Sequence, residues 1–210
     1  MNLGGWLVPE PFIVPALFEP YLNAKIPARD EWTLSQNMAA DTANGGLNQL
    51  ENHYKTFIVR PPIPSSSLPL TPLFQTEKDF AAIAAAGLNW VRLPIPFWAI
   101  QKYDNEPFLE GVAWTYVLKA FAWARKYGLR VNLDLHTFPG SQNGYNHSGK
   151  QGMINFMMGS MGIANAQRGM EYQRILVEFI SQPEYANVVP LFGVVNEVRT
   201  KDIGMDVMTS

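Results

Sequence analysis

The chain contains no cysteine. Disulfides, thiolate zinc sites and thiol nucleophiles are therefore excluded. The compartment stays open, because a domain of this size can be secreted without disulfides. Charge is also sparse: 16% of residues are charged and the formal net charge is -2. That balance gives no electrostatic reason to expect nucleic acid or an acidic membrane surface as a partner. No apolar run approaches the roughly 20 residues needed to span a bilayer. Met1 runs directly into Asn2-Leu3-Gly4-Gly5-Trp6, without a charged n-region and an apolar h-region, so no secretory signal is read here. The three histidines, His53, His136 and His147, lack the His-x-x-x-His or His-x-His spacing of a metal site, and no metal is expected. A Gly-x-Ser-x-Gly elbow and the glycine-rich phosphate loops are missing as well.

What is present suits one globular domain. The 210 residues are 47% hydrophobic and include six tryptophans, enough for a substantial core. Residues 3–12 read as a short strand opening into a proline-rich loop. Residues 31–54 carry Trp32, Leu34, Met38, Leu47, Leu50 and Tyr54 and read as mostly helical, interrupted at Gly45-Gly46. A pattern then repeats. Thr76-Glu77-Lys78-Asp79 resembles a capping box before Phe80, Ile83 and Ala84, Gly87 closes that helix, and residues 89–94 form a strand. Trp114, Val117, Leu118 and Phe121 mark a second helix, closed by Gly128 and followed by a strand over 130–136. Tyr172, Leu176, Phe179 and Ile180 mark a third, followed past Pro183 by a strand over 188–195.

Helix, glycine and strand in repetition indicate parallel βα units, in either a doubly wound α/β sheet or a (β/α)8 TIM barrel. The missing nucleotide loops weigh against the first. The polar residues fall at the C-terminal ends of successive strands: Arg92, His136 and Asn196-Glu197. Barrel enzymes carry their chemistry at that end. Within 130–136, Val131, Leu133 and Leu135 point one way and Asn132, Asp134 and His136 the other, which predicts an apolar face toward the helices and a polar face toward the barrel axis.

Glu197 follows eight mostly apolar residues. At the end of a buried strand its proton affinity would rise through desolvation, as a general acid requires. Asn196 beside it offers donors and acceptors for a sugar hydroxyl. The plain alternative is a polar pair that starts a loop.

Several stretches carry a resemblance to a known family: Asn2-Leu3-Gly4-Gly5-Trp6-Leu7-Val8-Pro9-Glu10-Pro11, Asp30-Glu31-Trp32-Thr33-Leu34, Gly87-Leu88-Asn89-Trp90-Val91-Arg92-Leu93-Pro94, Asp134-Leu135-His136, Pro139-Gly140-Ser141-Gln142-Asn143-Gly144 and Asn196-Glu197. In this order they resemble the N-terminal half of fungal exo-β-1,3-glucanases (glucan 1,3-β-glucosidases) of glycoside hydrolase family 5. The resemblance implies Glu197 as catalytic acid/base, Asn196 on the 2-hydroxyl at the cleavage point, and Arg92 and His136 shaping that subsite. It further implies Glu10 on hydroxyls of the terminal glucose and Tyr145 stacking on the sugar beyond the cleaved bond. The implied partner is a β-glucan polysaccharide or oligosaccharide, with glucose released from chain ends with retention. The implied setting is cell-wall glucan metabolism at the cell surface or outside it, by a monomer when full length. No cofactor is implied. A non-catalytic β-glucan-binding protein, or a related barrel glycosidase of β-1,6 or β-1,4 preference, uses the same pocket.

The chain departs from the family pattern twice. It reads as one barrel domain over 1–210, cut after about the first four βα units, whereas a barrel typically takes about 250 residues. The family's nucleophile lies on a later strand, so the chain alone is expected to be inactive and weakly stable, with open sheet edges. The stretch 59–75, with Arg60-Pro61-Pro62-Ile63-Pro64-Ser65-Ser66-Ser67-Leu68-Pro69, interrupts a family-like run. Val-Arg can be encoded by GTAAGA and Phe-Gln by TTTCAG, the two ends of an intron. An in-frame retained intron and a surface loop both fit.

Overall fold

The computed structural model describes residues 1–56 and 77–206. The 59–75 insertion and Thr76 of the capping pattern lie outside these residues.

The opening segment is held in place by others rather than by its own regularity. Only Asn2 bridges in β fashion, to Arg92, with Leu3 N–H donating to Arg92 O at 2.9 Å and Arg92 N–H to Met1 O at 2.8 Å. The strand expected over 3–12 is thus a single bridge, after which turns carry the chain into α1 (Pro15–Phe18). Helix α2 (Glu31–Ala40) starts on a capping box. Asp30 Oδ1 accepts from Thr33 N–H at 2.8 Å, and Thr33 Oγ1 accepts from Asp30 N–H at 3.3 Å. The break in the helical stretch is wider than the Gly45-Gly46 interruption expected: α2 ends at Ala40, a 3-10 turn (Thr42–Asn44) follows, and the two glycines at positive φ lead into α3 (Asn48–Thr56). Helix α3 grips the N-terminal segment: Trp6 Nε1–H donates to Tyr54 O at 2.8 Å, and His53 Nε2 lies 2.7 Å from Gly5 O. Helix α4 (Glu77–Ala85) buries Phe80 and Ile83.

Three βα repeats follow as the sequence pattern predicts. Strand β1 (Trp90–Ile95) leads through α5 (Val112–Lys126) to β2 (Arg130–Leu135), and α6 (Gly162–Ile180) leads to β3 (Leu191–Gly193). A short α7 (Thr200–Ile203) follows. The sheet is parallel in the order β1-β2-β3, with Trp90 opposite Arg130, Ile95 opposite Leu135 and Asp134 opposite Gly193. No strand order reverses among the described residues, unlike a doubly wound sheet. The third strand is shorter than the 188–195 expected. Val188 and Val189 N–H both turn back to Tyr185 O at 2.8 Å, and Pro190 has no N–H to give a ladder. Val188 O still accepts from Val131 N–H at 2.8 Å.

The parity expected of β2 holds. Val131, Leu133 and Leu135 are fully buried in the apolar core, alongside Val117, Ala120, Phe121 and Ala124 of α5 and Leu176 of α6. Each such large side chain contributes about 1.5–3 kcal/mol relative to exposure. Aromatic edges join the two helices, with Trp114 and Phe179 centroids 5.1 Å apart. The other face of β2 is the polar one, and it leads to the site.

Candidate active site

Asp134 is the hub. It lies on the polar face of β2 and is 3% exposed. Its Oδ2 sits 2.7 Å from Arg92 Nη2 and 2.7 Å from His136 Nδ1. A carboxylate accepts, so His136 carries its proton on Nδ1 and leaves Nε2 as an acceptor. In that tautomer the 3.4 Å approach of Arg92 Nη2 to His136 Nδ1 is a contact between two donors, not a hydrogen bond. Asn196 closes the ring. Its Oδ1 accepts from Arg92 Nη2 at 2.8 Å, and its Nδ2 lies 3.4 Å from His136 Nε2. Arg92, Asp134, His136 and Asn196 therefore form one network: Asp134 and His136 stand at the C-terminal end of β2 and Asn196 just past β3, whereas Arg92 lies midway along β1 rather than at the end expected, and its long side chain reaches the others.

A strut holds these ends together. Gln142, fully buried, donates from Nε2 to His136 O at 2.8 Å and to Asn196 O at 3.0 Å, and accepts from Phe138 N–H at 3.2 Å. The loop around it is fixed from outside: Gln151 N–H donates to Asp30 Oδ2 at 2.6 Å and Trp32 N–H to Gly149 O at 2.9 Å. The family-like stretch beginning at Asp30 thus anchors the loop that carries Tyr145 and His147.

Glu197 stands at the mouth, next to Asn196, with φ of 49°, a left-handed conformation rare outside glycine. Its side chain is 63% exposed. This differs from the burial expected of it: the short β3 ends at Gly193, and the residues past it rise out of the sheet. Glu197 Oε2 is 3.2 Å from His147 Nε2. Burial holds the His147 imidazole below its ordinary pKa, and the Glu197 carboxylate opposes that shift. Glu10 is buried, and burial raises its pKa. The Arg92 charge acts against that rise and Glu197 adds to it, so Glu10 shares the field of the same cluster. Tyr145, 48% exposed, places its ring centroid 5.6 Å from that of His147.

All six residues singled out from the sequence, Glu10, Arg92, His136, Tyr145, Asn196 and Glu197, thus fall in one neighbourhood. Sequence reasoning passed over three others. Asp134 was visible through strand parity, one step before His136. Gln142 lay within a family-like stretch but carried no chemical signature. His147 sits in a loop without periodicity, and nothing along the chain pointed it at Glu197. Among the described residues no group of His, Asp and Glu could hold a metal ion, and no helix is long and apolar enough to cross a membrane.

No family model matches the chain. Over 197 residues it is 46% identical to a probable glucan 1,3-beta-glucosidase D of Aspergillus niger, 44% identical to that of Aspergillus terreus and 43% identical to that of Aspergillus fumigatus. These alignments cover 94% of this chain and 21% of each relative, so the chain spans about a fifth of the curated relatives it matches. The resemblance to fungal glucan 1,3-β-glucosidases therefore extends across most of this chain. Among solved structures, the rutinosidase from Aspergillus niger superposes with a TM-score of 0.76 at 22% identity, over 99% of this chain and 50% of that one. The structure of AoRut superposes with a TM-score of 0.73 at 24% identity, over 94% of this chain and 48% of that one. At these identities the likeness is one of fold.

Proposed function

We propose that this chain carries the acid/base side of a retaining glycosidase site that removes glucose from the non-reducing ends of β-1,3-glucan. The observation that carries the reading is the Arg92–Asp134–His136–Asn196 network with Glu197 beside it, in a region 46% identical to a probable glucan 1,3-beta-glucosidase D. The fold is read as the first part of a (β/α)8 barrel, about four of its units, in a single domain over 1–210.

Each side chain has a task that its partners permit. Arg92 neutralises Asp134 and fixes the amide oxygen of Asn196. The second N–H of Asn196 Nδ2 is then oriented to donate to the 2-hydroxyl of a sugar. Glu197, protonated, gives its proton to the glycosidic oxygen as the bond breaks and later takes one from the water that attacks the glycosyl-enzyme. Glu10 binds hydroxyls of the terminal glucose, and Tyr145 offers its exposed face to the sugar on the leaving side. The nucleophile comes from a later strand, with roughly 5–5.5 Å between the two carboxyl groups. The enzyme needs no cofactor, works as a monomer outside the cell or at its surface, and serves cell-wall glucan metabolism.

The test is glucose release from laminarin oligosaccharides. A longer chain that supplies the remaining barrel strands is expected to release β-glucose first, and Glu197→Gln to lower kcat by about 10²–10⁴-fold. The 210-residue chain alone is expected to release none. Glucose release by that chain alone, or full activity in the Gln variant, overturns the reading. Product analysis on β-1,3, β-1,4 and β-1,6 glucans decides the linkage.

A further inference from the structure

We propose that His147 is a positioning residue for Glu197: its Nε2–H donates to Oε2 of that carboxyl group and leaves Oε1 as the oxygen that carries the acid proton. The inference rests on the reading of Glu197 as the acid, and it deepens that reading.

Three observations carry it. First, the distance from His147 Nε2 to Glu197 Oε2 is 3.2 Å, with the histidine side chain 13% exposed and the carboxylate side chain 63% exposed. The histidine is the fixed partner and the carboxylate the free one. His147 sits in a 3-10 turn (Asn146–Ser148) pinned by Ser148, whose Oγ lies 2.6 Å from Ser141 Oγ and 2.7 Å from Tyr145 O. Second, His147 Nδ1 is buried and has no hydrogen-bond partner among the described residues. A proton on that nitrogen would be a buried donor with nothing to receive it, whereas a lone pair there costs less. The neutral ring therefore carries its proton on Nε2, where the carboxylate accepts it. Third, Glu197 holds a left-handed backbone, which costs a non-glycine residue about 1–3 kcal/mol and persists only when its surroundings impose it.

The charged groups facing His147 are few. Glu197 lies on one side, the His136 ring is 5.4 Å away centroid to centroid, and Arg92 acts from behind it. The Tyr145 ring covers another side, with Arg199 5.8 Å beyond that ring. Burial lowers the His147 pKa, so the ring stays neutral as a donor rather than competing as a cation. In the protonated carboxyl group the carbonyl oxygen is the better acceptor, so the bond from His147 favours Oε2 in that role. The transferable proton then sits on Oε1, which fixes the side from which a glycosidic oxygen is approached.

The test needs no turnover. In the 210-residue chain labelled with ¹⁵N-histidine, the His147 resonances, assigned by their loss in His147→Gln, are expected to show the Nε2–H tautomer. Glu197→Gln keeps an acceptor but removes the charge, and is expected to lower the His147 titration midpoint further, by about half a pH unit or more. Glu197→Ala also removes the acceptor and is expected to weaken the tautomer preference, which the buried, unpartnered Nδ1 still favours. An Nδ1–H tautomer in the unaltered chain, or a midpoint that stays put or rises in Glu197→Gln, overturns the proposal. Laminarin hydrolysis reads the glycosidase assignment separately, so either can fail without the other.

Discussion

Glu31 is fully buried, and neither carboxyl oxygen has a well-formed hydrogen bond among the described residues. Burial drives its pKa well above the ordinary value; Trp98 and Tyr54 face it and pull back only in part. The sign of the pH dependence follows. Below about pH 4.5 both folded and unfolded chains hold the proton. As pH rises beyond that, the unfolded chain ionises and the folded one does not, so stability is lost until the folded pKa is reached. Glu31→Gln is expected to match the parent near pH 4 and to surpass it increasingly toward pH 8, by urea denaturation. His53 works in the opposite sense. Burial lowers its pKa to about 4, while its bonds to the Gly5 and Trp6 backbone oppose the shift. Its stabilisation is complete above about pH 6.5 and is lost as pH falls toward 4, so His53→Gln should flatten the acid limb of the same measurement. Neither burial was legible in the sequence. Glu31 reads there as an ordinary acidic residue in a first helical turn. His136 was legible from the alternation of β2, Asn196 and Glu197 because they follow an apolar run, and Arg92 because it is a lone charge in an apolar strand.

Helix α6 is fastened at one point and closely seated at another. Arg168 meets Glu106 with two parallel bonds of 3.0 and 2.9 Å, both side chains largely shielded from water, and its guanidinium lies 3.5 Å from the centre of the Tyr103 ring. Removing one member of such a pair leaves the other charge uncompensated. Arg168→Ala is expected to cost about 3–5 kcal/mol in denaturant unfolding, and Arg168→Lys to recover little, because lysine cannot form the double bond to the carboxylate. One residue on, a Cβ at Gly169 would stand 2.6 Å from the Phe138 ring, which in turn packs on Phe156. Gly169→Ala is expected to destabilise by about 1–3 kcal/mol through overpacking. Helix and strand identities were readable from apolar period and closing glycines. Details set by contact were not: Leu118, on the apolar stripe of α5, is 37% exposed, and β3 loses its first residues to the turn at Tyr185.

Across the molecule, the apolar surface is uneven. Leu191 and Val194 at the β3 side of the sheet are 50% and 55% exposed, and Ile163, Met170 and Val177 along the outer face of α6 are 69%, 59% and 44% exposed. Surfaces of this kind bind hydrophobic dyes and associate. The purified chain is expected to bind ANS and to show concentration-dependent association in sedimentation, both reduced by Leu191→Lys. The parallel βα character was legible from the repeated helix–glycine–strand pattern. The choice between sheet orders was not, because strand order is a property of contacts distant in sequence.

The sheet order β1-β2-β3 has a further consequence. Each strand lies beside the one made just before it, so no strand must hold a gap open for a later arrival. As the polypeptide leaves the ribosome, every emerging βα unit finds its docking edge already built. Synthesis and assembly can then proceed in the same direction and in step.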